Sequence, residues 1–283
     1  MEQKKIDRAV RFIQSIFASH KEGDEPIELA YSGGKDSDVC LELCKMAGVN
    51  PVIRYKNTTI DKPGTIAHCR SVGAIITTPR NGNSFFKIIQ KKGLPNMFSR
   101  FCCRELKEYY TSNNVIVGIR SCESVKRRAR YTEPTVCRVY DKHHKTEQFM
   151  PILDWTDEDV YDFIKLRGIK LHPCYYTENG DIDVKRRVGC MACPLQYHKK
   201  RIEYFKKYPK LVRQYLRNLK IYWDTHPNIK ARVSNNSYYE FFYRQLFFYS
   251  DKKFRQWRDE NHHTAEWYKK ELERVFNVNL EFK

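Results

Sequence analysis

A short glycine-containing segment is the first candidate for chemistry. The apolar run Ile27–Tyr31 leads directly into Ser32, Gly33, Gly34, Lys35, Asp36 and Ser37, and a helix-like stretch follows. Glycines let backbone N–H groups approach an oxyanion closely, serine hydroxyls add donors, and a helix N-terminus carries partial positive charge. The segment is therefore suited to binding phosphate. It departs from the Walker pattern because Asp36 follows Lys35, and the chain contains no G-x-G-x-x-G.

Four cysteines are the second candidate. Cys102 and Cys103 are adjacent, Cys190 and Cys193 form a C-x-x-C pair, and 86 residues separate Cys103 from Cys190. Neighbouring side chains diverge, so a tandem pair suits a cubane iron–sulfur cluster, with its separate iron atoms, better than one tetrahedral zinc ion. Structural zinc and unliganded core thiols are the alternatives.

The elements that would position these groups alternate between strand and helix. Apolar runs at 27–31, 51–55, 74–77 and 115–117 are typical of buried parallel strands, and helix-like segments such as 36–47 and 84–92 separate them. A helix is expected over 3–20, and capping signals bound another between Thr156 and Gly168. From about residue 195 the chain is basic, aromatic and helix-like. The pattern predicts an α/β domain with a parallel sheet over 1–194 and a basic helical region over 195–283.

Several motifs carry a family resemblance. The string SGGKDS at 32–37 resembles the pyrophosphate loop of the PP-loop ATP-pyrophosphatase superfamily. Segments 57–61 (NTTID), 118–127 (G-x-R-x-x-x-S-x-x-R), 151–155 (P-x-x-D-W) and 171–173 resemble its phosphoadenosine phosphosulfate (PAPS) reductase branch. The resemblance covers about residues 27–194 and implies an adenine-nucleotide α-hydrolase-like fold. It also implies a nucleotide site formed by Ser32, Gly33, Gly34, Lys35, Asp36, Ser37, Thr58, Thr59, Arg120, Ser124 and Arg127.

The resemblance extends to the cysteines and to catalysis. The CC…CxxC arrangement is similar to the [4Fe-4S] ligand set of adenosine phosphosulfate (APS) reductases, which implies Cys102, Cys103, Cys190 and Cys193 as ligands. Lys35 and Asp36 would be catalytic, with Asp36 as a candidate Mg²⁺ contact. Sulfonucleotide reductases carry their nucleophilic cysteine in a C-terminal E-C-G-x-H-like segment, whereas no cysteine follows Cys193 here.

These observations favour an enzyme that cleaves the α–β phosphoanhydride of ATP to activate an acceptor for sulfur transfer, served by a sulfur-donor or reductant protein. A PAPS or APS reductase that produces sulfite is the first alternative. A non-catalytic nucleotide- or nucleic-acid-binding subunit is the second.

The charge balance points to a polyanionic partner. Fifty-two Lys and Arg against 34 Asp and Glu leave a net charge of +18. Nine of the basic residues fall within 199–220, interleaved with Tyr204, Phe205, Tyr208 and Tyr215. This basic and aromatic pattern predicts that the helix contacts tRNA or DNA. The alternative is a solvated basic face whose aromatic side chains pack into the protein core. The charged start and the lack of a long apolar run predict a cytoplasmic protein without a membrane segment.

Overall fold

The computed structural model describes residues 2–96, 98–193, 196, 198–229, 237–248 and 250–280. The chain divides into two compact units. Unit 1 consists of Met1–Pro79 and Lys107–Gly189, and unit 2 of Arg80–Leu106 and Cys190–Lys283. This division differs from the single boundary predicted between 194 and 195, two residues that lie outside the described ones. Residues 80–106 belong with the C-terminal helices because they contribute to the same core.

Unit 1 contains a six-stranded sheet that is mostly parallel. Its strands are β1 Glu28–Ala30, β2 Val52–Lys56, β3 Ile75–Thr77, β4 Asn114–Val117, β5 Thr135–Val139 and β6 Lys145–Phe149. The order across the sheet is β3-β2-β1-β4-β6-β5, and only β5 runs antiparallel to its neighbour. The predicted α/β fold and its first four strands are confirmed. The β5–β6 pair was not predicted, since β6 is polar up to Phe149 and Arg138 interrupts the apolar residues of β5.

Unit 1 also contains helices, and several of them cover one face of this sheet. Unit 1 contributes α1 Gln3–Ala18, α2 Lys35–Met46, α3 Thr65–Ser71, α6 Val125–Arg130 and α7 Asp157–Arg167. The apolar row Leu29, Ile53, Ile116 and Phe149 packs with buried residues of α1, α2 and α7. The other face carries Glu28, Ala30, Arg54, Val115, Val117 and Gln148, which alternate with that row as the pleat requires.

Helix α7 confirms the capping signals of the sequence. The Thr156 side chain accepts a hydrogen bond from the Asp159 backbone N–H, and the Asp159 side chain accepts one from the Thr156 backbone N–H. Gly168 ends the helix with a left-handed backbone conformation.

Unit 2 is helical. Its helices are α4 Phe85–Lys92, α5 Phe101–Leu106, α8 His198–Lys207, α9 Pro209–Thr225, α10 Tyr238–Phe247, α11 Asp251–Asn261 and α12 Ala265–Phe276. The Phe85 ring lies 5.4 Å from that of Tyr215, and the Gln90 amide donates to Asn218, so α4 packs on α9. In the part of the chain that the structure describes, no helix combines the length and the apolarity needed to cross a membrane.

Candidate functional site

The predicted phosphate loop connects β1 to α2. Gly33 has φ +71°, and a Cβ there would lie 3.3 Å from Cys69 Sγ, so both the backbone and the space favour glycine. The Ser37 hydroxyl donates to the Gly34 carbonyl at 2.7 Å and lies 3.3 Å from the Ser32 hydroxyl. Helix α2 begins at Lys35 after Gly34, which has no side chain to cap it. The N-terminus of α2 therefore opens onto the loop, as anion binding at a helix start requires.

A cluster of two buried cations and two carboxylates lies at the start of α2. Arg120 is fully buried and donates from Nε to Asp36 and from Nη2 to Asp157, both at 2.7 Å. Lys35, only 2% exposed, places Nζ 3.1 Å from Asp36 Oδ2. Burial lowers the pKa of Arg120, but its two carboxylate partners outweigh that effect and raise it. Both oxygens of Asp36 therefore contact cations of the protein.

A second group of charges lies at the α6 side of the loop. Arg127 pairs with Glu123, and Arg187 Nη1 lies 3.5 Å from the same carboxylate, so one acid serves two guanidinium groups. Burial and the positive charge of Arg187 lower the pKa of Arg127. An anionic ligand would relieve this repulsion. Arg187 was missed by the sequence analysis, and its signal was the basic run 185–187, two residues before the C-x-x-C motif.

A cavity of about 440 Å³ opens at the loop. Of the predicted nucleotide-binding residues, it is lined by Ser32, Gly34, Lys35, Asp36, Ser37 and Arg127. Among the described residues, Gly33, Thr58, Thr59, Arg120 and Ser124 are not part of its lining. Tyr175 and Arg187 are, and the Tyr175 hydroxyl accepts a hydrogen bond from the Lys35 backbone at 3.1 Å. The cavity thus collects most, but not all, of the predicted set.

The other predicted residues have structural contacts. Thr58 is buried and its backbone donates to the Asp61 carboxylate, while Thr59 adopts a left-handed φ of 61°. Ser124 caps α6 by accepting from the Arg127 backbone at 3.2 Å.

A buried polar network behind the loop was also missed. The Tyr31 hydroxyl bonds to Asp38, and His68 Nε2 lies 3.0 Å from the same carboxylate. Burial raises the pKa of Asp38 above its ordinary value, although bonds from His68 and Tyr31 oppose this. Because Tyr31 directly follows β1 and Asp38 lies in the first turn of α2, the network connects the two elements that carry the loop. Tyr31 and His68 are 37 residues apart in sequence, and no spacing rule connects them.

The four candidate ligand cysteines all belong to unit 2. Cys102 and Cys103 lie on α5, and each of the four thiols is partly buried. A hydrogen bond with Cys103, burial and the nearby thiols of Cys190 and Cys193 raise the pKa of Cys102. The thiols are thus close enough to interact electrostatically. Within the described residues, however, no three His, Cys, Asp or Glu side chains are arranged as a metal-binding group.

The basic segment 199–220 forms α8 and α9. Lys206, Lys207, Lys210, Arg213 and Arg217 are exposed and form no ion pair with any described residue. Phe205 and Tyr215 are buried, at 1% and 3% exposure, so the expectation that they stack on bases is wrong for these two. Tyr204 and Tyr208 are half-buried and stack on each other at 6.2 Å.

The mostly parallel sheet and the glycine loop at the start of α2 define an α/β protein of the PP-loop, adenine-nucleotide α-hydrolase-like class. The chain belongs to the phosphoadenosine phosphosulfate reductase domain family, whose profile matches residues 26–196. It is 25% identical over 229 residues to an uncharacterised protein of Methanocaldococcus jannaschii, across 77% of this chain and 53% of the relative. The chain spans about half the length of the curated relatives it matches.

Two solved structures are similar in fold. One is the PAPS reductase of Candida auris in its phosphate complex, with 16% identity and a TM-score of 0.43 over 61% of this chain and 90% of that one. The other is the U34-tRNA thiolase of Methanococcus maripaludis with its [4Fe-4S] cluster, with 13% identity and a TM-score of 0.41 over 79% of this chain and 80% of that one.

Proposed function

We propose that this protein cleaves the α–β phosphoanhydride of ATP and thereby activates an acceptor for sulfur transfer. The observation that carries the proposal is the cavity at the N-terminus of α2, lined by loop hydroxyls and by the guanidinium groups of Arg127 and Arg187. Backbone N–H groups and paired cations at one point are suited to the negative charge that develops on a leaving pyrophosphate. Charge stabilisation of this kind is the main demand of phosphoryl and adenylyl chemistry.

Position relative to the cavity decides which residues would contact the nucleotide and which would only hold others in place. Arg127 and Arg187 line the cavity and would bind the β- and γ-phosphates. Lys35 also lines it and would donate to a phosphate oxygen while it keeps its contact with Asp36. Arg120, with no exposed surface, would act by holding Asp36 and Asp157 in place. Because both oxygens of Asp36 are bonded to cations, Asp36 fits poorly as a Mg²⁺ ligand, and we assign no step to that ion.

The donor chemistry of unit 2 fits an iron–sulfur cluster. Four partly buried thiols from two segments interact with one another, and thiolate sulfur is the usual ligand of such clusters. Cys102, Cys103, Cys190 and Cys193 would hold it, and the bound cluster would supply a site for carrying sulfur or would support the fold. Anaerobically prepared protein should then contain iron and sulfide, and Cys190→Ser should lose both, whereas Cys137→Ser, at an exposed thiol outside the set, should keep them.

Sulfonucleotide reduction is the second candidate, because the family is named for that reaction. One anaerobic nucleotide panel separates the two. Pyrophosphate released from ATP supports the first function, and sulfite released from PAPS or APS supports the second. If neither product forms, the protein is a non-catalytic binding subunit. Arg127→Met should abolish the product, while Arg128→Met, which replaces an exposed neighbour, should not.

The acceptor would be carried by a nucleic acid bound to α8 and α9. Five exposed basic side chains that pair with no acid among the described residues suit a phosphate backbone, and binding to tRNA or DNA should weaken steeply with salt. Reversing Lys206, Lys207 and Lys210 to Glu should abolish binding. The same reversal of Lys252, Lys253 and Arg255, exposed on α11, is the matched control and should reduce binding much less. Equal loss in both triple variants would show that net charge, and not this surface, drives binding.

A further inference from the structure

A second cavity, of about 250 Å³, lies within unit 2. The end of α4, the segment that follows it, the end of α9 and helix α10 contribute its lining. No described residue lines both this cavity and the cavity at the phosphate loop. The proposed function therefore makes no use of this second space, which we call the unit 2 cavity.

Arg244 on α10 is the buried cation of the unit 2 cavity. Its side chain is only 7% exposed and belongs to the lining. Nη1 donates to Asp251 at 2.6 Å, whereas Nε is buried and has no hydrogen-bond partner in the described part of the chain. Nη2 bonds to no described residue either. Because Nε and Nη2 share one edge of the planar guanidinium group, Arg244 keeps a pair of parallel donors available for a ligand.

The charge of Arg244 is only partly balanced by the protein. Asp251 is 65% exposed, so water screens its attraction. The buried carboxylate of Glu240, one turn earlier on α10, also lies 3.6 Å from Arg258 Nη1 and is shared with that cation. Burial lowers the pKa of Arg244, and the two carboxylates oppose this only in part. An anion bound in the cavity would offset the cost of burying this charge.

The charges of the lining favour a phosphate among the possible anions. Lys92, the last residue of α4, is a second cation of the lining, and no described acidic residue belongs to it. The Lys92 ammonium group pairs with Glu105, which lies outside the lining. Two cations attract the double negative charge of a phosphate monoester more strongly than the single charge of a carboxylate.

The apolar part of the lining indicates what the phosphate is attached to. It consists of Leu94, Ile229, Phe241 and the ring of Tyr222. A Cβ at Gly93 would lie 2.7 Å from the Tyr222 ring, so glycine lets the end of α4 approach this ring closely. Sites for drug-sized ligands have volumes of roughly 300–1,000 Å³, and the unit 2 cavity falls just below that range. Its size therefore suits a phosphate that carries a small apolar body.

We propose that the unit 2 cavity binds a small phosphomonoester with an apolar body, whose phosphate is held by the Nε–Nη2 edge of Arg244 and by Lys92. Two parallel N–H groups that bond two phosphate oxygens are the bidentate geometry that arginine provides and lysine does not. The rings of Tyr222 and Phe241 would contact the apolar body. This is a second ligand site, beyond the nucleotide site of the proposed function.

The test is calorimetric titration of the full chain saturated with AMPCPP, an ATP analogue that resists α–β cleavage, so that the loop site is filled. The probe is phenyl phosphate, compared with inorganic phosphate and with benzoate. Phenyl phosphate should bind with one-to-one stoichiometry and more tightly than either comparison compound. Arg244→Met should weaken its binding about tenfold or more, and Arg244→Lys should also weaken it, because the charge remains but the bidentate edge is lost. Arg255→Met, at an exposed arginine of α11, should leave binding unchanged.

A second pair of variants avoids any change in the core. Lys92 and Lys91 are neighbouring exposed lysines, and only Lys92 belongs to the lining. Lys92→Met should weaken phenyl phosphate binding severalfold, whereas Lys91→Met should not. Thermal unfolding followed by circular dichroism shows whether each variant is folded. Arg244→Met should remain folded, because its ion-pair partner Asp251 is exposed and is not left as a buried charge.

The proposal is overturned if phenyl phosphate does not bind the wild type, or if it binds equally well to the wild type and to the folded Arg244 and Lys92 variants. Tighter binding of benzoate overturns the assignment to a phosphate, and equal binding of inorganic phosphate overturns the apolar body. If AMPCPP does not bind the wild type, the proposed function fails. The same titration of nucleotide-free protein then still decides whether phenyl phosphate binding depends on Arg244.

Discussion

Replacing Arg120 by methionine should destabilise unit 1 without removing a direct nucleotide contact. The guanidinium group is fully buried and makes 2.7 Å hydrogen bonds to Asp36 and Asp157. A bond to a charged partner contributes about 1.5–3 kcal/mol, but Asp157 is 52% exposed, so its share falls to about 1 kcal/mol or less. Asp36 retains Lys35 as a partner and is not left an isolated buried charge. The expected loss is about 3 kcal/mol, or roughly 6–12 °C in Tm at about 2–4 °C per kcal/mol.

Urea unfolding followed by circular dichroism measures this loss, and calorimetric titration of AMPCPP measures nucleotide affinity in the same variant. Arg120→Met should lower the free energy of unfolding. It should lower AMPCPP affinity only to the extent that the phosphate loop becomes less ordered. Arg128→Met, at an exposed position, should behave as the wild type in both assays. Unchanged unfolding together with a hundredfold loss of affinity would refute the argument, because Arg120 would then contact the nucleotide itself.

Three further changes test local features of unit 1. Burial, and then the charges of His68 and Lys62, lower the pKa of His172 to about 4. As the pH falls from about 6.5 to 4, His172 is therefore protonated in the unfolded chain but stays neutral in the folded protein. The free energy of unfolding of the wild type should therefore fall by about 2–3 kcal/mol across that window. Urea unfolding at both pH values should show that this contribution is missing in His172→Asn. Gly118→Ala would place a Cβ 2.8 Å from the Asp36 carbonyl oxygen and should cost about 1–3 kcal/mol in thermal unfolding, whereas Gly189→Ala, with open space around it, should cost much less. Thr156→Ala removes the cap of α7 and should cost about 1 kcal/mol, which Thr156→Ser should largely restore; equal losses in both would show that the hydroxyl does not act as the cap.

Local order in the sequence was enough to predict the elements that carry the loop. The apolar runs that became β1 to β4, and the Thr156 and Gly168 signals that bound α7, depend on neighbours within a few residues. The glycine loop was equally local, because φ +71° at Gly33 and a helix starting at Lys35 are properties of one short segment. The β5–β6 pair was missed because neither strand has the continuous apolar run of a strand buried on both faces, and pairing with β4 positions β6.

Partners distant in the chain were decided only by the tertiary structure. The motif placed Arg120 at the nucleotide, but the ends of β4 and β1 meet at one edge of the sheet, and there the guanidinium lies buried against Asp36 and Asp157. The sequence pattern predicted that Phe205 and Tyr215 stack on bases, but both side chains are buried in the core of unit 2. Residues 80–106 joined the C-terminal helices for the same reason, since the apolar side of α4 is buried against α9. A sequence determines which side chains must leave water, whereas the fold determines which charges and rings they meet when they do.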